Sequence, residues 1–171
     1  SYMTELSKYI GLDVDLPSLG DGATEREIGY LYGQYKRLTH HHGRPGHGLL
    51  WGGDPSAYIS AQGYGAVYFA EEMLKDKGDS LQGKRCLITG SHYVALAVAQ
   101  KLHDMGAVPI TLSDTSGYIY EPGGFNQSKI ETVKKIKSER GARVGRYIIA
   151  STSAQFDEAE KIYDIPCDLV F

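Results

Sequence analysis

The sequence predicts an α/β fold, in which a helical segment precedes half of a Rossmann-type sheet with the element order βαβαβ. Three short apolar runs at residues 85–89, 108–112 and 167–171 predict strands that are buried on both faces. Between them, apolar spacing predicts helices over residues 94–105 and 128–139. Strands that alternate with helices at this spacing form a parallel sheet with right-handed crossovers.

The part of the chain before these strands predicts helices and loops. Apolar residues at helical spacing predict short helices over residues 3–10 and 25–38. Residues 39–62 contain clusters of Gly, Pro and His and predict a loop. A third helix is expected to begin near Gly65 and to end at Gly78.

Composition restricts the classes of function. Of the 171 residues, 42% are hydrophobic and 23% are charged, which is typical of a globular protein. The formal net charge of −3 gives no basic footprint for a nucleic acid. No apolar run reaches the roughly 18 residues that a membrane-spanning helix needs.

Three other features favour ordinary structural roles. The histidines at 40–42 and 47 have no carboxylate or Cys at ligand spacing, so we expect a solvated loop and no metal site. Cys86 and Cys167 are expected to be reduced core thiols, with a disulfide or a reactive thiol as the alternative. The basic helix over 128–139 is expected to face solvent, although an acidic partner or an anionic lipid surface would also suit it.

A nucleotide-binding pattern follows the first predicted strand. The dinucleotide fingerprint is Gly-x-Gly-x-x-Gly/Ala, and this chain has Gly90 and Ala95 at its first and last positions. The middle position, where the backbone approaches the pyrophosphate, is His92. Asp114 ends the second strand, where an acid would hold a ribose hydroxyl. Taken alone, this incomplete fingerprint favours a half-Rossmann unit that is kept only for packing over a working nucleotide site.

Several longer runs are more specific than these patterns, namely residues 3–6, 26–36, 51–53, 63–69, 79–84 and 111–114. Together they resemble the hexameric glutamate dehydrogenases. The resemblance covers nearly the whole chain, in order and without large gaps. It implies NAD(P)-dependent oxidative deamination of glutamate between two domains. On this basis residues 1–62 are interpreted as a remnant of the substrate domain and residues 63–171 as a partial dinucleotide-binding domain.

The resemblance also reveals departures at motif positions. The catalytic Asp of the family's Pro-Ala-Gly-Asp pattern falls on Gly20, and Asp21 lies one residue further along. A glutamate-binding Ser of the family falls on Asp54, and an Asn of its glycine fingerprint falls on Tyr93. The family's substrate lysines lie upstream of residue 1. We therefore expect a chain that is cut at both ends.

These departures favour a non-catalytic relic that serves as a structural subunit of a larger assembly. In this interpretation no cofactor binds, because His92 blocks the site, and Gly90, Ala95 and Asp114 are vestigial. Asp21 is a vestigial catalytic candidate. Other protein subunits are expected to cover the open half-sheet, and the expected location is mitochondrial or otherwise cytoplasmic. The alternative is a fragment of a working glutamate dehydrogenase that uses NAD or NADP.

Overall fold

The protein is described by a computed structural model, in which the chain divides into two compact units, Ser1–Tyr58 and Ile59–Phe171. The described residues are 2–10, 14–15, 25–39, 55–139 and 141–171. Each unit has a hydrophobic core of its own. The assignment of residues 1–62 and 63–171 to a substrate domain and a nucleotide domain stays a prediction.

In its described residues the first unit contains the helices α1 (Tyr2–Leu6) and α2 (Glu25–Thr39). Their apolar faces meet in a small core of Met3, Ile10 and Tyr35. The α1 helix is shorter than the predicted 3–10, because Ile10 has left the helix and forms an isolated bridge with Asp15. The α2 helix lies where the apolar spacing predicts it.

The second unit contains helices and strands in the order expected for a βαβ unit, together with an unpredicted hairpin. The helix α3 spans Pro55–Lys75, so the predicted loop over 39–62 is wrong from residue 55 onwards. The elements that follow are β1 (Arg85–Leu87), α4 (Tyr93–Asp104), β2 (Val108–Pro109), β3 (Thr111–Asp114), β4 (Gly117–Tyr120), α5 (Gln127–Ser138), a 3₁₀ helix (Val144–Ala150), β5 (Gln155–Asp157), a second 3₁₀ helix (Ala159–Asp164) and β6 (Leu169–Val170).

The predicted parallel sheet is present, with β1 between β2 and β6. Cys86 of β1 pairs with Pro109 on one side and with Leu169 on the other. Pro109 is tolerated here because a proline at the end of so short a strand has few ladder bonds to lose. The mixed α/β fold class with a parallel sheet is therefore confirmed.

The second predicted strand divides at Ile110 between two sheets. Val108–Pro109 belongs to the parallel sheet, whereas Thr111–Asp114 begins an antiparallel sheet of order β3-β4-β5. The backbone of Ile110 joins the two sheets, because its N–H donates to Cys86 O at 2.9 Å and its C=O accepts from Glu121 N at 2.9 Å. One residue thus ends one ladder and starts the other.

The helices of the second unit and its strands share one large hydrophobic core. The α5 helix, expected to face solvent, buries Ile130 and Val133 completely, so only its other face is solvated. The α3 and α4 helices approach closely at Gly63, where a Cβ would lie 2.8 Å from Ala97 Cβ. No helix in the described ranges is long and apolar enough to cross a membrane.

Candidate functional site

The strand order places a binding crevice at the end of β1. From β1 the chain crosses to β2 on one side, and later returns to β6 on the other side. In open parallel sheets, ligands bind outside the carboxyl ends of the strands, at the point where the strand order reverses. In this chain that point is the segment from Thr89 to His92, which leads from β1 into α4.

Hydrogen bonds between strand ends fix the position of this segment. Thr89 N donates to Phe171 O at 2.8 Å, beyond the end of β6. Gly90 N donates to Ser113 Oγ at 2.8 Å, and Ser113 N donates to Gly90 O at 2.9 Å. The turn is therefore fixed by hydrogen bonds to two residues that lie far along the sequence, Ser113 and Phe171.

Gly90 occupies a backbone conformation that favours glycine. Its φ of 102° lies in the region that residues with a Cβ rarely adopt. A Cβ on Gly90 would only make an ordinary contact, 3.5 Å from Ala95 Cβ, so the backbone angle is the stronger requirement. Gly90 and Ala95 thus lie against each other where the first and last positions of the fingerprint are expected.

His92 is the residue that precedes the first turn of α4. Its φ of −73° and ψ of 171° are extended values that any residue adopts, so the turn does not need a glycine there. The His92 side chain is exposed and does not cap the helix. The first-turn N–H groups of α4 therefore keep the partial positive charge that makes a helix N-terminus attractive to an anion.

Ser91 carries a polar atom without a partner. The residue is 1% exposed, and its Oγ has no hydrogen-bond partner among the described residues. A buried hydroxyl without a partner costs about 1–3 kcal/mol. Ser91 lies between Gly90 and the start of α4, within the turn that the fingerprint describes.

Asp114 is engaged by groups of the protein itself. Its Oδ1 accepts from Ser116 N at 2.8 Å and from Ser116 Oγ at 2.5 Å. Its Oδ2 accepts from Val144 N at 2.8 Å and from Lys137 Nζ at 3.3 Å. Burial alone would raise the pKa of Asp114, but the hydrogen bonds from Ser116 and Val144 outweigh burial and lower it. The carboxylate joins the β3–β4 turn to α5 and to the first 3₁₀ helix.

Two cations lie near the end of β3. Lys137 pairs with Asp114, and the Arg143 guanidinium donates to Thr115 Oγ1. Both charges therefore lie next to the carboxyl end of β3. The described part of the chain contains no group of His, Cys, Asp or Glu residues that could hold a metal ion.

The structure describes only some of the predicted site residues. Gly90 lies against Ala95 and bonds to Ser113, the residue before Asp114, while His92 precedes α4. The catalytic candidate Asp21 lies outside the described residues, and so do Gly20, Asp54, residues 40–42 and His47. Sequence reasoning missed Ser91, Lys137 and Arg143. Ser91 occupies a variable position of the fingerprint, so only its burial identifies it.

Comparison with known proteins gives a consistent match. A family model of glutamate/leucine/phenylalanine/valine dehydrogenases matches residues 52–171. The chain is 41% identical over 180 residues to the NADP-specific glutamate dehydrogenase of Helicobacter pylori strain J99, covering 100% of this chain and 39% of that protein. It is 41% identical over 172 residues to the NADP-specific glutamate dehydrogenase of Chlorella sorokiniana, covering 99% of this chain and 32% of that protein.

Solved structures agree with the sequence matches. Plasmodium falciparum glutamate dehydrogenase 2 superposes with a TM-score of 0.77 at 40% identity, over 99% of this chain and 37% of that one. A second Plasmodium falciparum glutamate dehydrogenase superposes with a TM-score of 0.82 at 37% identity, over 99% of this chain and 36% of that one. The chain thus spans about two fifths or less of the length of these relatives.

These matches correct three expectations from the sequence. The interpretation as a non-catalytic relic, the expected absence of enzyme activity and the expected absence of a cofactor are wrong, since relatives about 40% identical are named NADP-specific glutamate dehydrogenases. The incorrect physical argument was that His92 blocks the cofactor site. The extended backbone of His92 keeps the turn and the start of α4 intact, so an imidazole at this position does not by itself remove the site.

Proposed function

Because the chain belongs to the glutamate/leucine/phenylalanine/valine dehydrogenase family, we propose that it supplies the nucleotide-binding part of an NADP(H)-dependent glutamate dehydrogenase. The observation that carries the proposal is the unpartnered Ser91 hydroxyl at the point where the strand order reverses. Such a reversal is where open parallel sheets bind nucleotides. A buried polar group without a partner calls for an explanation, and a ligand bound at this turn would supply one.

The residues at the end of β1 fit a dinucleotide. Gly90 makes the tight turn, and the uncapped first turn of α4 offers N–H groups to a pyrophosphate. Ser91 adds a hydroxyl that can donate to a phosphate oxygen. When bound, the nicotinamide would supply the hydride acceptor or donor for the interconversion of an amino acid and its 2-oxo acid.

The surroundings of Asp114 favour NADP(H) over NAD(H). An NAD-type site uses a free carboxylate at this strand end to accept from the ribose 2′-hydroxyl. The Asp114 carboxylate already accepts four hydrogen bonds from the protein. Lys137 and Arg143 place positive charge nearby, which suits a 2′-phosphate. The names of the two relatives quoted above agree with this choice.

Replacing Ser91 with alanine tests the cofactor site directly. The Ser91→Ala variant is expected to bind NADPH about tenfold more weakly, because it loses a hydrogen bond to a charged group. Without cofactor it should be as stable as the wild type or more stable by about 1 kcal/mol, since a buried unpartnered hydroxyl is removed. NADPH fluorescence titration and thermal unfolding measure the two effects. Lower stability with unchanged affinity would contradict this role of Ser91.

The activity itself is tested with the natural full-length protein. We expect oxidation of NADPH that requires both ammonium and 2-oxoglutarate, followed by the absorbance of the reduced nicotinamide. The 2-oxo acids that correspond to leucine, phenylalanine and valine serve as controls for the other substrates in the family description. A folded protein that oxidises NADPH with one of these and not with 2-oxoglutarate would refute the substrate assignment.

We propose further that the protein works together with other subunits, as the resemblance to hexameric enzymes implies. Exposed apolar side chains on α3, such as Phe69 and Met73, are consistent with contacts beyond the described chain. The mitochondrial location expected from the sequence stays a prediction.

A further inference from the structure

The residue that departs most from the fingerprint lies at the centre of the proposed cofactor site. A glycine at the middle position lets the backbone approach the pyrophosphate. His92 stands there instead, with its side chain exposed at the start of α4. An imidazole extends several ångströms beyond the backbone and carries a ring N–H donor. The ring is therefore exposed at the helix start, where an anion would approach.

The backbone tolerates this side chain without strain. The φ of −73° and ψ of 171° at His92 are ordinary extended values, in contrast to the φ of 102° at Gly90. His92 also makes no capping hydrogen bond to the first turn of α4, so its ring nitrogens are not used in ending the helix. The turn therefore does not require a histidine at this position, and the His92 ring is not engaged in capping α4.

A second polar group, without a partner in the described part of the chain, lies directly beside His92. The Oγ of Ser91, the residue directly before His92, is buried and without a partner among the residues that the structure describes. The unpartnered hydroxyl, the uncapped helix start and the exposed imidazole are thus contributed by consecutive residues. Each of them is a hydrogen-bond donor that suits a phosphate oxygen.

We propose that His92 is a ligand of the cofactor's pyrophosphate, with its ring N–H donating to a phosphate oxygen in place of the close backbone approach that a glycine permits. This inference rests on the proposed function, because it assigns a further residue to the same site. It reverses the expectation that His92 blocks binding. It also means that the affinity for a dinucleotide depends on the His92 side chain, whereas the fingerprint has a glycine without a side chain at this position.

The test compares His92→Leu with His92→Gln in the natural full-length protein. Leucine fills a similar space without a donor, whereas glutamine keeps an N–H at the end of its side chain. We expect His92→Leu to weaken NADPH binding about tenfold or more, and His92→Gln to stay within about threefold of the wild type. His103→Leu is the matched control, because it makes the same substitution near the other end of α4 and should leave the affinity unchanged.

Competition experiments separate a pyrophosphate contact from a general effect on the site. Inorganic pyrophosphate and adenosine are each used to displace NADPH from the wild type and from His92→Leu. We expect the substitution to weaken competition by pyrophosphate and to leave competition by adenosine unchanged. Equal losses for both competitors, or unchanged NADPH affinity in His92→Leu, would overturn the inference while the proposed function stands. Absence of NADPH binding to the folded wild type would overturn both.

Discussion

Replacing Glu121 with alanine is expected to destabilise the second unit by about 3–5 kcal/mol, the usual cost of removing one partner from a buried ion pair. The Glu121 carboxylate is completely buried and accepts a hydrogen bond from Lys129 Nζ at 2.8 Å. Three hydroxyl groups also donate to it. They belong to Tyr147 at 2.8 Å, Ser151 at 2.5 Å and Ser153 at 2.7 Å. The variant would leave an ammonium group and these hydroxyls without their acceptor.

The same carboxylate makes stability depend on pH in a defined window. Burial by itself would raise the pKa of Glu121, but the four donated hydrogen bonds outweigh burial and lower the pKa from 4.5 to about 2. A lowered folded-state pKa contributes stability above the unfolded value, and that stability is lost as the pH falls through the folded value. We therefore expect a loss of about 3 kcal/mol between pH 4.5 and 2 that Glu121→Gln does not show.

Urea denaturation followed by circular dichroism measures both effects. The control is Glu131→Gln, which removes an exposed carboxylate 2.7 Å from Lys134. An exposed ion pair of this kind contributes about 0–1 kcal/mol, so the control should remain close to the wild type. Equal small losses in Glu121→Ala and Glu131→Gln would show that the buried network contributes no more than a surface pair.

Replacing Gly117 with alanine is expected to cost about 3 kcal/mol or more, since it combines backbone strain with overpacking. Gly117 begins β4 with a φ of 144°, a value that side chains disfavour. An added Cβ would lie 2.4 Å from Asp157 O and 2.7 Å from Phe156 Cζ. Because the carbonyl belongs to the backbone of β5, the strands would have to separate to relieve the clash.

Gly123 provides the matched control for this substitution. It is exposed, and a Cβ there would meet nothing within 4 Å. Gly123→Ala should therefore change stability by no more than about 0.5 kcal/mol. Because Gly117 pairs with Asp114 across the β3–β4 turn, Gly117→Ala is also expected to weaken NADPH binding. A Gly117→Ala protein that unfolds at the wild-type urea concentration would refute the predicted clash.

The sequence alone determined the elements whose signals are local. Helical spacing identified α2, α4 and α5 to within a few residues. Continuous apolar runs identified β1, and the run at 167–171 contains β6. The fingerprint located Gly90 and the start of α4, because a tight turn and close packing depend on adjacent positions. The resemblance to glutamate dehydrogenases, carried by several runs, gave the family.

Only the tertiary structure decided which groups are buried and which partners they have. Ile110 divides one apolar run between two sheets, because its N–H and its C=O bond to different strands. Glu121 is buried, and it accepts a hydrogen bond from Ser153, 32 residues away. Gly90 is fixed by Ser113, 23 residues away, and Ser91 is buried beside it without a partner among the described residues. Side-chain spacing along the chain specifies helices and strands, whereas hydrogen-bond satisfaction and burial depend on contacts between residues that are distant in the sequence.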